Sequence, residues 1–98
     1  SQGEFFTHRV TYEGGRIEIN ARTKQVGSVE VELWEAVDRR GSKPVEGFTF
    51  DEHVPFCGDE IWARCRWKGK ENLSELEGKD LQLRIRLCSA KIFGYRFA

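Results

Sequence analysis

The chain contains no methionine, only two prolines and only two histidines among its 98 residues. It also lacks any apolar run near the ~20 residues that a membrane-spanning helix needs, and its first residues do not form a secretory signal. Charge of one sign is not in excess, because 16 Lys and Arg balance 16 Asp and Glu. Nucleic-acid-binding proteins usually carry a basic excess that neutralises phosphates. We therefore expect neither a membrane nor a nucleic acid as the partner.

Metal-ligating patterns are equally sparse. The three cysteines, Cys57, Cys65 and Cys88, form no CxxC pair, and His8 and His53 stand far apart. A structural zinc site needs four ligands at short paired spacings, so we predict no metal site. The thiols are either all free or joined by one disulfide, and the sequence leaves both alternatives open.

Motifs of catalysis are missing as well. No G-x-S-x-G run, Gly-rich phosphate loop or HExxH pair occurs. Acidic residues are plentiful, but they alternate with apolar residues and so belong to solvated strand faces. A glycoside hydrolase needs two carboxyl groups in a cleft, one of them with a raised pKa. We predict that the chain is not an enzyme and binds no cofactor.

Alternation of apolar and polar residues is the dominant pattern that is present. It runs through RIEIN at 16–20, VEVEL at 29–33 and LQLRIRL at 81–87, and it is typical of strands with one buried and one solvated face. Only 71–79 predicts a short helical turn, which Asn72 or Ser74 begins and Gly78 ends. We predict strands at 5–12, 15–21, 28–37, 46–50, 60–68, 80–88 and 91–97.

Glycine-containing turns separate these strands at intervals typical of a sandwich or small barrel. We predict a single all-β domain over 1–98, a two-sheet antiparallel β-sandwich of jelly-roll type. The chain starts and stops abruptly, so we expect it to be part of a larger multidomain protein.

Strand parity assigns side chains to faces, because successive residues point to opposite sides of a sheet. The residues with inward parity are Ile17, Ile19, Val29, Val31, Leu33, Ile61, Ala63, Cys65, Trp67, Leu81, Leu83, Ile85 and Leu87. Trp34 and Trp62 fall on the outward parity. The charged residues beside them can pair across neighbouring strands. Large apolar groups on an outward face are normally avoided or used. The two tryptophans are thus covered by loops, covered by a neighbouring domain, or part of a binding site.

The order of motifs from Arg16 onward resembles a known domain. The stretches are RIEINARTKQVGSVEVELWEA, GSKPVEGFTFDEHVPFCGDEI and RWKGKENLSELEGKDLQLRIRLCSAKIFGYRF. They are similar to the β-sandwich accessory domain found C-terminal in bacterial glycoside hydrolases, often beside a five-bladed β-propeller. The matching residues are Asn20, Pro44, Gly47, Phe48, Gly58, Asp59, Trp67, Gly69, Leu73, Ser74, Leu76, Gly78, Lys79, Ala90, Phe93, Tyr95 and Phe97.

The resemblance implies a non-catalytic carbohydrate-binding module that is secreted or held at the bacterial cell envelope. Its partners would be a polysaccharide and a glycoside hydrolase domain in the same chain. Aromatic rings stack on sugar C–H faces while polar side chains bind the hydroxyls. Outward strand parity, rather than the resemblance, selects the predicted carbohydrate-binding residues: Glu18, Asn20, Trp34, Trp62, Arg64, Gln82 and Arg84.

Two alternatives remain beside this reading. The domain could be structural, with the tryptophans packed against the catalytic domain and no ligand of its own. Asp59 could bind calcium, although calcium needs several oxygen ligands and few acids lie near Asp59 in sequence.

Overall fold

The computed structural model of the chain describes residues 2–39, 41–70 and 72–98. These residues form an all-β domain with one short 3₁₀ helix, Ser74–Leu76. The strands are β1 (Gln2–Phe6), β2 (Val10–Thr11), β3 (Ile17–Ala36), β4 (Ser42–Pro44), β5 (Asp59–Arg64) and β6 (Asp80–Phe97). No helix in the described residues is long and apolar enough to cross a membrane.

Strands β3 and β6 form the centre of the sheet. They pair antiparallel from Ile17 opposite Phe97 to Glu35 opposite Leu81. Strands β1 and β2 pair with the other edge of β6, and β4 and β5 pair with the other edge of β3. The six strands therefore form one continuous antiparallel sheet, and the predicted all-β class is confirmed.

A corner divides this sheet into two halves. The pairing of β3 with β6 shifts between Thr23 and Ser28, and Ser89 on β6 has a φ of 47°. We call 17–23, 90–97 and β5 the Ile17 half. We call 28–36, 80–88, β1, β2 and β4 the Val29 half. The irregular corner bends both central strands, as bulges generally do.

The sheet curls until the two ends of β6 come close. The Tyr12 N–H donates to the carbonyl of Lys79 at 2.9 Å, while Arg16 and Ala98 exchange backbone hydrogen bonds of 2.7 Å. The four-residue step from Tyr12 to Arg16 spans at most ~14 Å, whereas a straight β6 would be ~60 Å long. The inward faces of the two halves consequently meet across one core.

The core contains most of the residues to which parity assigns an inward face, whereas Leu87 is only partly buried. Eight of these predicted residues on β3 and β6 are at most 1% exposed: Ile17, Ile19, Val29, Val31, Leu33, Leu81, Leu83 and Ile85. Cys65 and Trp67 are buried with them, as predicted. Burying a large apolar side chain contributes roughly 1.5–3 kcal/mol, so this set is the main source of stability.

The predicted strand boundaries are only partly correct. Two pairs of predicted strands are each continuous, in β3 and in β6, and the segment predicted at 5–12 is interrupted between Phe6 and Val10. The strand predicted at 46–50 is wrong. That segment instead turns at Gly47, whose φ is 88°, and inserts Phe48 into the core with no exposed surface. The neighbouring strand is β4, which is three residues long.

The predicted helical turn is confirmed at Ser74–Leu76. The Asn72 side-chain oxygen accepts hydrogen bonds from the backbone N–H and the hydroxyl of Ser74, and Gly78 follows the helix with a φ of 84°. Residue 71, where the predicted segment begins, lies outside the described residues.

Candidate functional site on the outward faces

The seven predicted binding residues separate into two groups. Glu18, Asn20, Trp62 and Arg64 lie in the Ile17 half, on β3 and β5. The others, Trp34, Gln82 and Arg84, lie in the Val29 half, on β3 and β6. The two halves meet through their inward faces, so their outward faces point away from each other. The structure therefore does not bring the seven residues together, and each tryptophan has its own surroundings.

The first of these is the Trp34 cluster, formed by Phe6, Glu32, Trp34, Phe50 and Arg84. The Phe6 ring meets the Trp34 ring edge-on, with centroids 5.2 Å apart and planes at 90°. The Arg84 guanidinium carbon lies 5.7 Å, 5.8 Å and 5.4 Å from the centroids of Phe6, Trp34 and Phe50. One cation is thus surrounded by three aromatic rings, an arrangement that cation–π attraction favours.

Carboxylates hold the Trp34 cluster in place. Glu32 Oε1 accepts a 2.8 Å hydrogen bond from Trp34 Nε1, and Oε2 accepts one of 3.0 Å from the backbone N–H of Phe50. Arg84 pairs with Glu4 and lies 3.5 Å from Glu32. Glu32 is only 7% exposed although its parity is outward, because these groups cover it. Hydrogen bonds and ion pairs within the cluster therefore hold its side chains against one another.

Gln82 and Arg86 extend the same face. Gln82 lies opposite Trp34 in the β3–β6 register, and its Nε2 donates to the carbonyl of Thr7 at 3.0 Å. Arg86 pairs with Glu30 at 2.9 Å, and its guanidinium carbon lies 4.2 Å from the Phe50 centroid. The predicted pairing of outward charges across strands is confirmed here.

The second group is the Trp62 cluster, formed by Glu18, Asn20, Trp62, Gly94 and Arg96. The β3–β5 register shifts between Ile19 and Ala21, and Trp62 there has a φ of 65°. This bulge directs the indole across β3 to β6, where the Arg96 guanidinium carbon lies 4.2 Å from its centroid. A Cβ on Gly94 would lie 3.5 Å from the ring, so this glycine leaves room for it.

An ion pair orders the Trp62 cluster. Arg96 Nε lies 2.8 Å from Glu18 Oε1, and Glu18 is 7% exposed. Asn20 lies opposite Gly94, and Arg64 lies opposite Glu18 on β5. The predicted residues Glu18 and Trp62 are thus connected through Arg96.

Sequence reasoning did not include Arg96, Phe6 or Phe50 in the site. The alternation of Tyr95, Arg96 and Phe97 was a usable signal for an outward Arg96. No pattern indicated Phe50, because it lies in a loop that folds back onto the sheet.

Cavities lie elsewhere on the described part of the chain. Five cavities of about 300–600 Å³ open there, and neither Trp34 nor Trp62 lines any of these five. The one of about 300 Å³ includes His53, Cys57 and Cys65 in its lining. Burial, and secondarily the charge of Glu18, raises the pKa of Cys65 to about 12. This thiol therefore stays protonated at neutral pH, unlike a reactive cysteine.

Within residues 2–39, 41–70 and 72–98 the cysteines and acids form no recognisable metal centre. Cys57, which is exposed, and Cys65, which is buried, are free thiols. Nowhere in the described ranges do three His, Cys, Asp or Glu side chains gather as a metal site. Asp59, the calcium candidate, instead lies 3.2 Å from Arg22 Nε.

Comparisons of the chain with protein-family models, with curated proteins and with solved structures returned no match.

Proposed function

We propose that this domain is a non-catalytic carbohydrate-binding module that targets an attached glycoside hydrolase to polysaccharide. The parent protein is secreted or held at the bacterial cell envelope. In this proposal the Ile17 and Val29 halves correspond to the two sheets of a jelly-roll sandwich. The observation that carries the function is the Trp34 cluster, in which three aromatic rings gather around Arg84.

The chemistry of the Trp34 cluster suits a sugar. Trp34 and Phe6 are both partly exposed, so they offer apolar surface to the C–H face of a pyranose ring. Arg84, Glu4 and Gln82 supply donors and acceptors for hydroxyl groups around them. Their hydrogen bonds and ion pairs fix the side chains beforehand, which lowers the entropy lost on binding.

Affinity electrophoresis tests the proposal. The domain is run through native gels cast with a panel of neutral soluble polysaccharides, beside Trp34→Ala and Trp62→Ala. Val37→Ala is the matched control, because it removes an apolar side chain that is 61% exposed and belongs to neither cluster. Retardation by one glycan that Trp34→Ala abolishes and Val37→Ala retains is the expected result.

The two tryptophan variants separate the two faces. Loss of retardation in Trp62→Ala alone would assign the binding site to the opposite face of the domain. Unchanged mobility of the wild-type domain across the whole panel would contradict binding to those glycans. Thermal unfolding of every variant shows whether a lost interaction reflects a lost fold.

A structural accessory domain is the second candidate. Phe6 is 46% exposed beside Trp34, and none of the five cavities is lined by Trp34. A flat face centred on a tryptophan is typical of protein interfaces. This candidate predicts that the isolated domain self-associates in sedimentation velocity and that Trp34→Ala makes it monomeric. A wild-type domain that stays monomeric at high concentration would argue against it.

A further inference from the structure

Charged residues that face each other between β3 and β6 have opposite signs, with one exception at the corner of the sheet. Between β3 and β6, Glu18 faces Arg96, Glu30 faces Arg86 and Glu32 faces Arg84. Arg22, in contrast, faces Lys91. Like charges directly opposite each other destabilise a sheet. The Arg22–Lys91 pair therefore lowers the stability of the sheet, whereas the three pairs of opposite charge raise it.

A cavity lies at the same position. It has a volume of about 470 Å³, and its lining includes Arg22, Lys24, Lys91 and Phe93. We call these four residues the corner site. Phe93 is 62% exposed. Phe93 is the residue inserted in β6 where the β3–β6 register shifts. The neighbouring residues Asn20 and Ala21 of β3 face Gly94 and Ile92, so Phe93 lies between these two pairs.

The corner is a compact piece of backbone. A Cβ on Gly27 would lie 2.3 Å from the carbonyl oxygen of Ser89, so the two strands approach closely there. Ser89 itself adopts a φ of 47°, a left-handed conformation that is strained for a residue other than glycine. Lys24 and Lys91 are therefore carried by backbone that lies next to this close approach.

The corner site has an excess of positive charge. Asp59 pairs with Arg22 at 3.2 Å. Neither Lys24 nor Lys91 forms an ion pair with any residue in the described part of the chain. Two cations are left beside an exposed ring in a protein whose total charge is zero. An anion placed between Arg22 and Lys91 would remove their repulsion.

We propose that the corner site binds an acidic polysaccharide, with uronate carboxylates on Lys24 and Lys91 and a sugar C–H face on Phe93. The inference rests on the proposed function in taking a polysaccharide as the partner, but it uses a different surface. A single-stranded nucleic acid fits less well, because such proteins stack successive bases on several rings along a basic groove. The corner site has one ring.

Matched ligands test the charge requirement. Affinity gels with polygalacturonate are compared with gels that contain its methyl ester, which has the same backbone without the carboxylate charge. The wild-type domain is expected to be retarded by the acid and not by the ester. Added salt should weaken the retardation, because exposed charges are screened beyond about 10 Å at 0.1 M ionic strength.

Variants then assign the surface. Lys24→Gln with Lys91→Gln, and separately Phe93→Ala, should each weaken polygalacturonate binding about ten-fold. Lys43→Gln is the matched control, since it removes an exposed lysine from β4 in the Val29 half. Val37→Ala, which changes neither cluster and no residue of the corner site, should leave binding of the acid unchanged.

Several outcomes overturn the inference. Equal retardation by acid and ester, no retardation by the acid, or an equal loss in Lys43→Gln would each do so. Tighter binding of oligothymidylate than of polygalacturonate at the same residues would assign a nucleic acid instead. Neutral glycan binding that depends on Trp34, without binding of the acid, would leave the proposed function standing and remove only the corner site. Acid binding that depends on Lys24, Lys91 and Phe93, without any neutral glycan binding, would support the corner site and remove only the Trp34 cluster as a carbohydrate-binding surface.

Discussion

The backbone N–H of Val31 donates a 3.3 Å hydrogen bond to Nδ1 of His53, a histidine with only 3% of its surface exposed. The carbonyl of Val31 accepts a 3.1 Å bond from Trp67 Nε1. On either side, Val29 exchanges backbone hydrogen bonds with Phe56, and Leu33 does so with loop residues. Two side chains thus replace a strand along an edge of β3. An unpaired edge invites pairing with another chain, so this closure covers part of an edge that would otherwise be open to pairing.

The closure predicts a particular pH dependence of stability. Burial lowers the pKa of His53 to about 4 from 6.5. Above pH 6.5 the ring is neutral in both states. Below it the unfolded chain binds a proton that the fold excludes, so stability falls until the folded ring titrates near pH 4. The total loss is about 3 kcal/mol, of which about 2 kcal/mol is present at pH 5. Urea denaturation across this range measures it.

Two histidine variants isolate this effect. His53→Gln keeps an acceptor for Val31 and cannot titrate, so its stability should change less between pH 7 and pH 5. His8→Gln removes the other, exposed histidine and should retain the wild-type dependence. An identical pH profile for wild type and His53→Gln would contradict the assigned role.

The positive φ of Trp62 predicts an unusual order of substitutions. Trp62→Ala and Trp62→Gly both remove the ring from Arg96, but only glycine adopts a φ of 65° without strain. Trp62→Gly should therefore be more stable than Trp62→Ala by about 1 kcal/mol. Gln82 lies at an extended position of β6, and glycine weakens a regular strand. Gln82→Gly should therefore be less stable than Gln82→Ala, the reverse of the order at Trp62. Chemical denaturation of the four variants gives both differences.

Gly27 should tolerate no side chain. Its Cβ would lie 2.3 Å from the Ser89 carbonyl oxygen and 2.7 Å from that of Cys88. Both are backbone atoms that cannot rotate away, so Gly27→Ala should lower the free energy of unfolding by about 3 kcal/mol. Gly3→Ala is the control, because nothing lies within 4 Å of its Cβ position, and it should change stability little. Similar thermal midpoints for the two variants would contradict the close approach.

The cysteines should differ in reactivity. Cys57 is exposed, whereas Cys65 is buried and has its pKa raised to about 12. Iodoacetamide should modify Cys57 of the native domain quickly and reach Cys65 only when the chain unfolds. Peptide mass spectrometry after timed labelling measures both rates, and labelling in urea provides the reference in which they converge. Fast native labelling of Cys65 would show that the core opens there.

Local patterns predicted more of the core than of the site. Inward positions such as Ile19, Val31 and Leu83 follow from alternation alone, because parity depends only on neighbouring residues. Trp62 was assigned to the outward face in the same way, but its contacts depend on a bulge at a register shift. The loop that carries Phe48 was predicted as a strand, since an apolar residue between turns looks the same in either role.

The sequence by itself determined the all-β class, the inward residues and the absence of a charge excess, because these depend on residue type and period. Only the tertiary structure decided which residues face each other across strands. The pairing of Arg22 with Lys91 joins positions 69 apart in the chain, and two register shifts set it. The curl of β3 and β6 then placed Trp34 and Trp62 on opposite outward faces. Curl and register depend on backbone geometry at a few irregular residues, and composition and period do not encode that geometry.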